Sequence, residues 1–245
     1  MPKCIFCKSV VGPFSTREHI LPESLGGGDW AILPDGLLCD QCQNHFGSSI
    51  EQQALGDYPF THLRVLLSIP TKKGKAPWFK FNEGIVKASL RPNSFQYEPS
   101  APFKRATIEG RKKVIRLLAH PIKPDMICRF LLKMALEVIA TDDAETVFEK
   151  KYDKARVYAL LGEKKGDWWY LQHENISAVN NRIKTGTRPP EWAEPVKLEV
   201  TTFINGTEIF YLKLLYLELF TTLEQHIKPP PKASVIEPEF RLFIV

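Results

Sequence analysis

Four of the five cysteines lie in two Cys-x-x-Cys pairs, Cys4/Cys7 and Cys39/Cys42, near the start of a 245-residue chain. Such a turn sets two thiolates on one side of a tight loop. Two such turns brought together offer four soft ligands at tetrahedral spacing, the closed geometry of a structural zinc. Neither pair has the βαβ context of a redox Cys-x-x-Cys, and no signal peptide or secreted character argues for disulfides. The four cysteines are therefore expected to hold Zn²⁺. Thirty-one residues separate Cys7 from Cys39, longer than a connecting turn needs, so this stretch reads as a functional insertion between two knuckles. Cys128 sits in an apolar helical run and reads as a small buried hydrophobe.

Within the insertion, Glu18-His19-Ile20 reads as a short strand with a carboxylate and an imidazole side by side. Successive strand side chains face opposite ways, so these two would serve one site only if the strand bends or a metal sits at its edge. Pro22 and the Gly26–Gly28 run then force an irregular loop. A second short strand, residues 32–38, leads into the second knuckle and a short helix that carries Asn44 on its first turn. Taken alone, a His beside a Glu is ordinarily a surface pair. Asn44 alone could equally cap the helix, and Glu51 reads as a solvated residue or salt-bridge partner.

Taken together, Cys4-x2-Cys7, Glu18-His19-Ile20-x-Pro22, Leu25-Gly26-Gly27, Cys39-x2-Cys42 and Asn44 resemble the HNH endonucleases and their ββα-metal motif. The resemblance covers about the first fifth of the chain. It implies that His19 is the general base that deprotonates a water, and that Glu18 and Asn44 hold one catalytic divalent metal, with the family's bent strand reconciling Glu18 and His19. An imidazole, with an ordinary pKa of about 6.5, is mostly neutral at pH 7 and can accept a proton. Carboxylate and amide oxygens suit Mg²⁺ or Mn²⁺ where the thiolate cage suits Zn²⁺, so two metals of different hardness are expected. The chain departs from the family at three places. Glu18 stands where Asp is common, Gln43 stands where a histidine often follows the second knuckle, and the turn Leu33–Gly36 replaces an asparagine that props the base. His45, Asp35 and Glu51 are left as unassigned contributors.

The fold class expected is α+β. A zinc-stapled ββα-metal (HNH) module, residues 1–57, is followed by a mixed α+β domain, residues 58–245, built on a buried central helix and positioning substrate or mediating assembly. That helix is Lys123–Thr141, with Met126, Ile127, Phe130, Leu131, Met134, Ala135, Val138 and Ile139 at helical spacing. A short helix is expected at Pro59–Leu67 and helical structure at Ala144–Gly162, where the glycine stops it. Strands are expected at Trp78–Phe81, Ile85–Ala88, Phe95–Tyr97, Lys113–Leu118, Trp168–Leu171, Lys197–Ile204, Glu208–Phe220 and Phe240–Val245. Asn205-Gly206 marks a hairpin, and Pro229–Pro231 an extended connector. His62, His120, His173 and His226 read as structural or surface residues.

The formal net charge is +5, and its distribution matters more than its size. Residues 1–60 hold three Lys or Arg against seven acids, a net −4, whereas residues 71–116 hold twelve against three, a net +9. The module alone is thus poorly placed to hold a polyanion. Lys72, Lys73, Lys75, Arg111, Lys112 and Lys113 are candidates to supply phosphate contacts, against the plainer reading of a solvated sheet face. Without a run of 18 apolar residues, the chain is expected to be cytoplasmic and away from membranes. The function expected is metal-dependent endonuclease action on nucleic acid, DNA first, with RNA excluded by no residue. The competing reading is a non-catalytic zinc module that docks nucleic acid or protein.

Overall fold

A computed structural model describes residues 1–70, 74–81, 84–88, 95–102, 120–163, 167–185, 190, 193–225, 227–228 and 240–245. The chain forms two compact units, Met1–Ala54 with Lys123–Val245, and Leu55–Ile122. The unit that holds the N-terminus resumes at Lys123, just before a long mid-chain helix whose Lys133 bonds Glu18 of the cysteine module.

That module makes little regular structure. In place of the two short strands expected at 18–20 and 32–38, a single antiparallel bridge joins His19 to Ile32, and residues 35–38 turn and bend; α1 (Asp40–Phe46), a π-type turn at Gly47–Glu51 and α2 (Gln52–Leu55) follow in the chain. In the Leu55–Ile122 unit, α3 (Phe60–Leu66) precedes the antiparallel meander β1 (Trp78–Phe81), β2 (Gly84–Ala88) and β3 (Phe95–Pro99). Its small core comprises Val65, Phe79 and Ala88, with Val86 packed against them. The expected strand Lys113–Leu118 lies outside the described residues, as do Lys72, Lys73, Arg111, Lys112, Lys113, His226 and Pro229–Pro231.

The unit that holds the module is organised on α4 (Pro124–Asp142). Proline at the first helical position costs no hydrogen bond there. Ile127, Cys128, Phe130, Leu131, Leu132, Met134, Ala135 and Leu136 are all fully buried, as suits a helix apolar on most sides. The expected helix at Ala144–Gly162 resolves into two 3-10 turns and α5 (Asp153–Leu161), which ends at Gly162 in the left-handed region, φ 71°. There follow β4 (Trp169–Glu174), α6 (Ile176–Thr185), β5 (Val196–Thr202), β6 (Glu208–Leu214), β7 (Leu217–Thr222) and β8 (Phe240–Ile244), the strands forming one antiparallel sheet in the order β5-β6-β7-β4-β8.

The Asn205-Gly206 hairpin joins β5 to β6 as expected, Phe203 N–H donating to the Thr207 carbonyl at 2.9 Å. The single strand expected at Glu208–Phe220 is instead β6 and β7. The chain reverses at Leu215, whose φ is 57°, and Leu214 pairs with Leu217. An unbroken apolar run, Leu214–Leu217, spans the reversal, and Leu215-Tyr216 carries no turn residue to announce it. Phe210, Leu212, Leu217 and Leu219 are completely buried on the face packed by α4, each contributing about 1.5–3 kcal/mol. No helix among the described residues is long and apolar enough to cross a membrane.

Candidate active site

The two knuckles are laid side by side by backbone pairing. Lys3 and Ile5 N–H groups donate to the Gly36 and Leu37 carbonyls at 2.9 and 2.8 Å. The Sγ atoms of Cys4, Cys7, Cys39 and Cys42 then fall within 4.8 Å of one another, Cys7 and Cys39 at 3.7 Å. A tetrahedral zinc with Zn–S bonds of about 2.3 Å requires sulfurs about 3.8 Å apart, so the cage fits this ion. None of the cysteines is in a disulfide. The hydrogen bond with Cys42 draws the Cys4 thiol down to about 4 and pushes Cys42 up, while burial raises Cys7. A cage in which the Cys4 thiolate forms readily while Cys7 and Cys42 resist added charge is one that a dication would relieve.

The insertion is pinned where it leaves the first knuckle. Asp40, at the start of α1, accepts from the Ser15 N–H and hydroxyl at 2.8 and 2.6 Å and from the Thr16 N–H and hydroxyl at 3.1 and 2.9 Å. These bonds, the Ser15 hydroxyl foremost, draw the Asp40 carboxyl down to about 2. The strand follows, Ile20 N–H donating to Ala31 O at 2.8 Å and Leu33 N–H to Glu18 O at 3.0 Å. The turn after Pro22 requires its glycines. Gly26 has φ 97°, and a Cβ on Gly27 would lie 1.7 Å from the Leu21 carbonyl oxygen.

His19 and Glu18 alternate across this strand. The His19 side chain is 25% exposed, with Nε2 3.8 Å from Glu23 Oε1. Glu18 is buried, and its Oε1 receives a 2.6 Å hydrogen bond from Lys133 Nζ on α4. Glu51 and Glu137 also lie 2.9 Å from that ammonium. The strand therefore follows ordinary alternation, and Glu18 and Asn44 do not fit as a ligand pair beside His19: the one carboxylate is turned inward and committed to a cation. Asn44 is exposed on α1, its carbonyl accepting from Ser48 Oγ at 2.7 Å. His45 Nε2 bonds the Leu160 carbonyl at 2.8 Å, a tie to α5. Asp35 is exposed. Among the described residues, the four cysteines are the one group of three or more His, Cys, Asp or Glu placed to share a metal.

The module is clasped by the helices beneath it. The Arg156 guanidinium donates to the carbonyls of Ile5 and Val147 and to Asp153, while Lys8 reaches Asp153 at 2.5 Å. Sequence reasoning missed Lys133, Glu137 and Arg156. The available signal was Lys133 and Glu137, four residues apart in a helix apolar on most sides, where a charge persists only if paired. Cys128 is buried against Thr221, and burial pushes its thiol up to about 12, in keeping with an inert core residue. His173 is likewise structural, bonded to Glu218 at 2.9 Å. Of the basic candidates, Lys75 is described and exposed. In the same unit a cleft of about 420 Å³ is lined by Arg64, Lys80, His62 and Trp78, the last 55% exposed.

Comparison with known proteins gives one positive result: residues 4–58 match the family model described as HNH endonuclease. No curated protein and no solved structure matches the chain. The matched residues hold the four-cysteine cage, the bridged strand of His19 and α1, the parts the motif demands. About the first fifth of this α+β chain is therefore an HNH endonuclease domain with a four-cysteine cluster fit for zinc, and its family points to nuclease-type activity on nucleic acid.

Proposed function

We propose that this chain is a cytoplasmic, metal-dependent endonuclease that hydrolyses phosphodiester bonds in DNA, with His19 as general base. The observation that carries the reading is the accessible His19 imidazole, projecting from a bridged strand inside a zinc-stapled segment that matches the HNH model. A neutral imidazole takes a proton from water as the water oxygen bonds to phosphorus and the P–O bond to the leaving sugar oxygen breaks, and the pairing to Ile32 fixes the backbone from which the ring projects. The dependence on Mg²⁺ or Mn²⁺ rests on the family likeness. Arg64, Lys80 and the exposed Trp78 of the Leu55–Ile122 unit support a role for that unit in holding a polyanion with unstacked bases, alongside the basic residues Lys72, Lys73, Lys75, Arg111, Lys112 and Lys113.

The test is cleavage of supercoiled plasmid by wild type and His19→Ala with Mg²⁺, Mn²⁺ or EDTA, after zinc content and folding are matched. Loss of the base should lower the rate by about 10²–10⁴-fold. The burial of Glu18 against Lys133 favours a second reading, a non-catalytic zinc module that docks nucleic acid or protein. Metal-independent binding that survives His19→Ala, with no cleavage by either protein, would select it.

A further inference from the structure

Lys133 is completely buried, and its ammonium is surrounded by carboxylates from three elements. Glu18, on the His19 strand, lies at 2.6 Å, Glu51, in the turn after α1, at 2.9 Å, and Glu137, one turn along α4, at 2.9 Å. Glu18 and Glu137 accept true hydrogen bonds, whereas Glu51 Oε1 is an ion-pair partner whose geometry makes none. A buried ammonium persists only when such partners hold it, and removing one strands the rest. The cluster is therefore a fixed joint between α4 and two parts of the HNH domain.

The joint bears directly on His19. Glu18 is its immediate neighbour, and the bonds on either side of the Glu18–Ile20 strand set an antiparallel alternation. Holding the Glu18 carboxylate inward against Lys133 turns the His19 ring outward. We propose that Lys133 is a positioning residue for His19, acting through Glu18, and that Glu18 is a strut of this buried cluster and no ligand of the catalytic metal. The positioning half rests on the nuclease reading of His19; the strut half stands on the contacts alone.

Two variants of the full-length, zinc-loaded protein test it. In Glu18→Gln the amide oxygen can still accept from Lys133, so fold and strand persist. Mn²⁺ binding, read by electron paramagnetic resonance, and the Mn²⁺ concentration for half-maximal cleavage should stay within about twofold of wild type, because even second-shell changes move metal affinity by about 10–100-fold. A shift of tenfold or more in either would make Glu18 a ligand and overturn the strut. In the second variant, Lys133→Met with Glu18→Leu, Glu51→Leu and Glu137→Leu, the cluster becomes apolar, an exchange that folds commonly tolerate. It should retain zinc, yet exchange its Ile20 and Leu33 amides faster and lose about 10–100-fold in kcat at unchanged KM, as a misplaced base does. Wild-type kcat in this variant would overturn the positioning role. A wild-type protein that never cleaves would defeat the nuclease reading instead, and Ile20 and Leu33 exchange at wild-type rates in the apolar variant would then defeat the strut.

Discussion

The cysteine module and the five-stranded sheet belong to one compact unit but are held by different physics. The sheet buries alternate side chains of β6 and β7 on α4 and satisfies its backbone by ladder pairing. The module has one β-bridge and short turns. It has a four-cysteine cage fit for a metal, the Asp40 anchor and ionic joints to α4 and α5. A segment too small to exclude water over much apolar surface is fixed by a few strong, directional contacts, whereas the sheet spreads its stability over many weak ones. Directional contacts also fix angles, as the base role proposed for His19 would require.

The sharpest way to break this contrast is zinc removal. Structural zinc contributes an apparent ~10–16 kcal/mol in small sites, more than a module of this kind can lose. Chelation should erase the dispersed amide signals of residues 1–54 while those of β5–β7 remain. Loss of both together would show that the sheet depends on the module as well. A core truncation probes the other side. Leu212→Ala, at a fully buried position of β6, should cost ~2–5 kcal/mol by urea unfolding and leave zinc stoichiometry unchanged; a fall in bound zinc would mean that the two regions share one core. The smallest effect is a pH-dependent one. Asp143 accepts from the Thr146 hydroxyl and the Glu145 N–H, and the Thr146 bond first draws its carboxyl below the ordinary 3.8. Because the folded value is the lower, the stability it contributes is present above about pH 4 and fades as pH falls further. The difference between wild type and Asp143→Asn, followed by sheet fluorescence, should therefore be small and constant near neutrality and vanish in acid. A difference that grew on acidification would contradict that assignment.

The two regions were also legible in the sequence to different degrees. The cage and the irregular loop after Pro22 follow from residue type and spacing, because Cys-x-x-Cys turns and a proline-glycine run are local signals, whereas the expected strand of His19 reduces to one bridge. The apolar period that marks α4 is equally local. What escaped was non-local or unpunctuated. The reversal at Leu215-Tyr216 has no glycine or asparagine. Helix α6 carries polar Asn180, Asn181 and Lys184 among its apolar residues, and the order β5-β6-β7-β4-β8 places β4 between later strands. Within the site, the family likeness put Glu18 beside His19 in function, while plain strand alternation put it opposite. The deciding partner, Lys133, lies 115 residues away in sequence, beyond the reach of any local rule.

That separation carries a consequence for synthesis. Chains emerge from the ribosome at about 5–20 residues per second, so Glu18 waits roughly 6–23 s for Lys133 to be made. During that interval the knuckles can capture zinc, but the strand bearing His19 has no cationic anchor, and Glu18 sits in water as an ordinary carboxylate. On the proposed nuclease reading, the HNH segment could be metal-loaded before it is aligned, and its base would be set only once α4 has been translated.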